Sequence, residues 1–179
     1  MSGKDRNHRV SRAMYSGNHY QLMAEYNRWM NERLYAICAD ISDVDRRRDR
    51  GAFFRSIHGT LNHLYHGDQA WIGRFTHGPF VATIGHEFFA TFEELRMAHK
   101  KLDDEIVAWA QTLSEDWLKS PSTYTSSVDG KTRTLPSWVL VVHMFNHQTH
   151  HRGQLTTLLK QLGVDPGITD IPWLPALEV

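Results

Sequence analysis

The chain has 179 residues, twenty basic against twenty acidic, twelve histidines and a single cysteine. That balance removes any general attraction to nucleic acid or acidic membrane surfaces, and one cysteine leaves no internal disulfide and fits a reducing compartment. The length suits one domain spanning residues 1–179 with a core of useful size.

The N-terminal stretch, Met1 to Gly17, is polar and has no apolar signal-peptide core, and no apolar run approaches the ~20 residues of a membrane span. A soluble cytoplasmic protein is expected. From about Asn18 to Ile41, Tyr20, Met23, Tyr26, Asn27, Met30, Leu34, Ile37 and Cys38 recur at steps of three and four, which predicts the first helix, with Cys38 as a small core residue. Ser42 to Gly51 breaks the pattern. Its run Asp45-Arg46-Arg47-Arg48-Asp49-Arg50 is interrupted by acids and reads as a solvated connector.

A second helix is predicted over Phe53 to Phe75, ended by Thr76-His77-Gly78-Pro79. Phe80 to Ala90 is a connection of undetermined form. Thr91-Phe92-Glu93-Glu94 carries a capping-box signature and opens a third helix to about Leu113, and Ser114-Glu115-Asp116 can cap a short turn before Pro121. Asp129-Gly130 between the β-formers Thr123–Val128 and Lys131–Thr134 predicts a small hairpin with a tight turn. Pro136 suits the first turn of a fourth long helix reaching Leu162, with Gly163 as its C-terminal stop and Pro166 beyond. The apolar tail to Val179 is expected to pack on the rest. The economical fold is all-α, a four-helix bundle with a small β-hairpin before the last long helix.

The chemistry concentrates in the fourth helix, at His143, His147, His150 and His151. At about 100° per residue, His143, His147 and His151 share a sector of roughly 80°, and imidazoles four apart converge on one point. Burying three of them without a partner desolvates several polar atoms, which a shared cation would satisfy. Spacing alone leaves two pairs open, His143 with His147 or His147 with His151. On the second helix, His63 shares a face with Ser56, Gly59, Thr60, Gly67 and Ala70. Small side chains there imply either open volume beside the histidine or close helix packing. No His-Glu-x-x-His or paired Glu-x-x-His is present, which argues against a zincin protease and a di-iron carboxylate bundle.

Leu61-Asn62-His63-Leu64-Tyr65-His66-Gly67-Asp68 with Trp71, and His143-x-x-Asn146-His147-x-x-His150-His151-Arg152-Gly153-Gln154, resemble the DinB/YfiT-like metalloproteins over nearly the whole chain. The resemblance implies a homodimeric four-helix bundle holding a divalent metal on His63, His147 and His151. His143 and His150 then become neighbours of the ligands, and Asn146, Asp68, Arg152 and Gln154 are candidates to orient them, with an Asp68–Arg152 pair as one arrangement. Imidazole ligands suit Zn and Ni, and also Fe and Cu. The activity implied is a metal-dependent S-transferase that joins a low-molecular-weight thiol (bacillithiol, mycothiol or glutathione) to an electrophilic small molecule in detoxification or stress response. A metal-dependent hydrolase and a non-enzymatic metal-binding or interaction module are the alternatives; the second would need a fourth protein ligand, such as His143 or His66, closing the site.

Overall fold

The computed structural model describes residues 19–77 and 88–177. The expectations for Met1 to Gly17, for the Gly78-Pro79 helix end and for most of the Phe80 to Ala90 connection therefore lie outside the described residues, as do the last two residues of the tail. Four long helices dominate: α1 (His19–Ala39), α3 (Ile57–Thr76), α4 (Phe92–Ala110) and α6 (Ser137–Gln161). Two short helices, α2 (Asp43–Arg47) and α5 (Glu115–Lys119), and an antiparallel hairpin of β1 (Pro121–Thr125) and β2 (Thr132–Pro136) fill the connections. The all-α bundle with a hairpin before its last long helix is what the sequence pattern predicts.

Around the bundle α1 packs against α4, α4 against α3, α3 against α6 and α6 against α1. Asn31 meets Asp103 while Tyr35 meets His99, so α1 and α4 are antiparallel. Trp71 meets His143 while His63 meets His151, so α3 and α6 are antiparallel too. Tyr65 lies against His99 and Phe75 against Trp109, so α3 and α4 run in the same direction. A parallel pair needs a long return connection between its two helices. The core between them is built from fully buried Met30, Leu34, Leu61, Leu64, Ile106 and Met144 and their neighbours.

Element ends follow local chemistry. Thr91 Oγ1 accepts from the Glu94 amide and donates to the Glu94 carboxylate, so the helix start is as expected although the glutamate bonds the hydroxyl rather than the backbone. At the C-terminus of α6, Gly163 at φ +83° places its amide on Lys160 O and the Val164 amide on Leu159 O, a Schellman ending.

Four local features differ from expectation. The second long helix begins at Ile57 rather than Phe53, because Arg55 adopts φ +66° and Ser56 caps the helix through the Gly59 amide. Ser42 caps the short α2 inside the arginine-rich connector, where no helix was expected. The Asp129-Gly130 turn is not a two-residue one. Residues 126–131 form the loop, with Gly130 in the left-handed region and its amide on Ser126 O. Pro136 closes β2 and caps α6 instead of lying inside its first turn.

Candidate metal centre

His63 of α3 and His147 and His151 of α6 meet across the α3–α6 seam. Their Nε2 atoms form a nearly equilateral triangle: His63 to His147 is 3.2 Å, His63 to His151 is 3.1 Å and His151 to His147 is 3.1 Å. Neutral imidazole offers one N–H donor and one lone pair. No assignment of protons to three mutually adjacent nitrogens pairs them all, since two donors or two lone pairs always face each other. A cation that accepts three lone pairs removes the conflict. The corners of such a triangle lie about 1.8 Å from its centre, a spacing compatible with the usual zinc–imidazole distance of about 2.0–2.1 Å. The donor set fits a divalent metal.

The tautomers agree with that. His151 Nδ1 lies 2.8 Å from Gln154 Oε1, an oxygen that can only accept. The proton therefore sits on Nδ1, leaving the Nε2 lone pair directed at the triangle. Gln154 Nε2 in turn lies 3.1 Å from His150 Nε2. Burial, reinforced by the neighbouring imidazoles, lowers the pKa of His63 and of His147 to about 3. Burial also lowers His151, opposed by its bond to Gln154. The two most depressed imidazoles are thus uncharged and ready to ligate near neutrality.

Local structure explains how the triangle is held. Gln148, fully buried between the two α6 histidines, donates from Nε2 to Leu64 O at 3.0 Å and pins α6 to α3 in register. Phe54 stacks on His63 with ring centroids 3.8 Å apart and planes 18° apart, and meets His151 edge-on at 5.4 Å. Phe54 reaches this place because the chain turns sharply at Arg55 and folds its carbonyl against Gly59, where any Cβ would collide with it. Gly67 serves the neighbouring level: a Cβ there would stand 2.8 Å from His147 Cε1. The small residues beside His63 therefore mark close approach at these two positions, and the volume at Gly67 is filled by the His147 ring.

The other candidates separate into groups. His143 lies one turn from His147, its ring 5.9 Å from that of His147 and 5.0 Å from Trp71. His150 meets the His151 ring edge-on at 4.8 Å and also contacts Gln154, and Asn146 is exposed to solvent. Asp68 and Arg152 hydrogen-bond to none of the three imidazoles. They join a buried network through Asn27, which accepts from Arg152 and donates to Asp68 Oδ2 at 3.1 Å and Asp103 Oδ1 at 3.3 Å. Asn31, Tyr35 and His99 complete it. Burial raises the Asp103 pKa to about 6. Asp68 and Arg152 therefore meet through Asn27 rather than as a direct pair. Asp68, His99 and Asp103 also offer ligand atoms close together, but asparagine amides already occupy two of these carboxylates.

Sequence reasoning did not single out Phe54 or Gln148, and it placed Asn27 only on the recurring face of the first helix. A phenylalanine in a turn and a glutamine between two histidines carry no periodic signal, and their roles depend on the Arg55 turn and the helix register.

The fold and the three-histidine cluster define a helical bundle with a candidate metal centre at one seam. A sequence model of the DinB family matches residues 14–178, and the chain belongs to the DinB family. It is similar to Protein DinB of Bacillus subtilis (strain 168), 25% identical over 153 residues that cover 82% of this chain and 87% of that protein. Among the described residues no helix is long and apolar enough to cross a membrane.

Proposed function

We propose that His63, His147 and His151 bind a divalent metal ion through Nε2 and that the protein is a metal-dependent S-transferase for a low-molecular-weight thiol. The observation that carries the metal reading is the 3.1–3.2 Å triangle of Nε2 atoms, with the His151 tautomer fixed by Gln154. Among the described residues only these three histidines converge there. His66 stacks on Phe88, and His143 lies against Trp71. A fourth protein ligand closing the site is therefore not favoured, which supports an open position and an enzyme over a structural metal.

A bound divalent ion would act as a Lewis acid that lowers the pKa of a thiol in its open position. The protein's own groups do the rest. The three imidazoles would hold the ion, and Gln154, at His151 Nδ1, keeps the Nε2 lone pair turned into the triangle. Phe54 covers the His63 face and keeps water from that side. His143, its pKa lowered by burial and by Arg74, is uncharged at neutral pH and can take up the thiol proton. The sulfur then forms its bond to the electrophilic carbon, and the leaving group departs with the electron pair of the bond that breaks. Zinc and nickel suit the imidazole set, as do iron and copper.

Cobalt substitution tests this. Titrating the cobalt-loaded protein with glutathione, bacillithiol and mycothiol should produce a thiolate-to-cobalt charge-transfer band with at least one of them. A cobalt spectrum unchanged by every thiol would overturn the transferase reading.

A further inference from the structure

The α3–α6 seam continues past the triad. One turn beyond Gly67 and His147 lie Trp71 and His143, edge-on at 5.0 Å, and Tyr124 of β1 meets Trp71 at 5.3 Å. Over them lies the Arg74 guanidinium, 4.7 Å from the Trp71 ring and 5.8 Å from that of Tyr124. Arg28, Arg55 and Arg133 rest against carboxylates. Arg74 is half-buried, yet among the described residues it has no acidic partner. Its titratable neighbours are Tyr124 and two uncharged histidines, His66 and His143, whose pKa values it helps to lower.

Stacking on Trp71 engages only the face of the guanidinium. The in-plane N–H donors remain, in the fork that matches a planar carboxylate. Helical arginines lean toward the N-terminus, so the charge sits back over Trp71, one to two turns from the triad, about 10 Å along the seam. An extended tripeptide is about 10 Å long.

We propose that Arg74, on the platform of Trp71, Tyr124 and His143, binds a carboxylate of the small molecule whose sulfur reaches the three-histidine centre. The substrate class is thus an anionic thiol of about tripeptide size rather than a neutral or cationic one. This rests on the transferase reading above.

Calorimetric titration of the zinc-loaded protein tests it, with glutathione, S-methylglutathione and cysteamine as probes against wild type, Arg74→Gln and Arg74→Lys. Glutathione and S-methylglutathione carry carboxylates; cysteamine is a thiol without one. Arg74→Gln should weaken both tripeptides about tenfold or more and leave cysteamine within about twofold, and Arg74→Lys should fall between. Equal tripeptide affinity in wild type and Arg74→Gln overturns the proposal, as does a parallel loss for cysteamine, which would mean a structural role. Failure of wild type to bind either tripeptide overturns it as well. S-methylglutathione cannot supply a thiolate and so separates the two readings. Arg74-dependent binding of it without any thiol–cobalt band would leave the carboxylate site standing and remove the transferase. A thiol–cobalt band indifferent to Arg74 would do the reverse.

Discussion

Gly67 of α3 faces the imidazole of His147 across the seam, so closely that a methyl group at position 67 would stand 2.8 Å from Cε1 and 3.1 Å from Nδ1. The glycine is the recess into which a candidate ligand fits. Gly67→Ala should push the ring off the triangle at an overpacking cost of about 1–3 kcal/mol. Zinc affinity, measured by chelator competition, should fall about tenfold or more while the helical circular dichroism is retained. Unchanged affinity would show that His147 is not held by this contact.

Gln154 fixes the His151 tautomer. Removing such a partner commonly costs about 10–100-fold in metal affinity, and Gln154→Leu should lose that much. Gln154→Glu keeps an acceptor opposite Nδ1 and should retain most of the affinity. If leucine and glutamate behave alike, the hydrogen bond does not position the ligand.

The depressed pKa values of His63 and His147, about 3 in the folded chain against 6.5 for the unperturbed group, give the metal-free protein a pH-dependent stability. Between pH 6.5 and 3 the unfolded chain binds protons at these positions that the folded chain refuses. Stability is therefore full above pH 6.5 and is lost as pH falls toward 3. Asp103, raised to about 6, contributes in the opposite sense, its share lost as pH rises from about 4 through 6. Urea denaturation at several pH values should show a shallower acid loss in a His63→Gln, His147→Gln double variant than in wild type. Equal slopes would contradict the depressed values.

Arg152 is 3% exposed, bonded to Asn27 and stacked over Tyr26 at 5.3 Å. Arg152→Ala leaves Asp68 and Asp103 buried without their cation, and breaking a buried charge network in this way costs about 3–5 kcal/mol. A fall in chemical-denaturation stability of that size is expected. A loss below about 1 kcal/mol would mean the carboxylates are neutral or satisfied without it.

The four long helices were legible because their apolar residues repeat every three to four positions, and the starts at Thr91 and Ser114 because threonine and serine caps are local chemistry. The start of α3 was not. Phe53 and Phe54 continue the apolar pattern, and only the left-handed Arg55 shows that the helix waits for Ser56. At the site, the i, i+4 histidines of α6 announced a converging pair, but spacing could not say which. The choice of His151 over His143 came from resemblance to a family, and in the folded chain it is His151 that lies beside His63 and His147. Asp68 and Arg152 stand within the two histidine-bearing motifs and are candidates to orient the ligands on that ground. Their side chains point instead to the bundle centre, where Asn27 of another helix joins them. Cross-helix contacts of that kind depend on register, which no single stretch of sequence carries.

Metal stoichiometry in five proteins tests the central claim most directly. Wild type and His143→Ala should each bind one equivalent of zinc or cobalt, and His63→Ala, His147→Ala and His151→Ala should each lose it while remaining folded by circular dichroism. No metal bound by wild type, or metal lost in His143→Ala and kept in His151→Ala, would contradict the account.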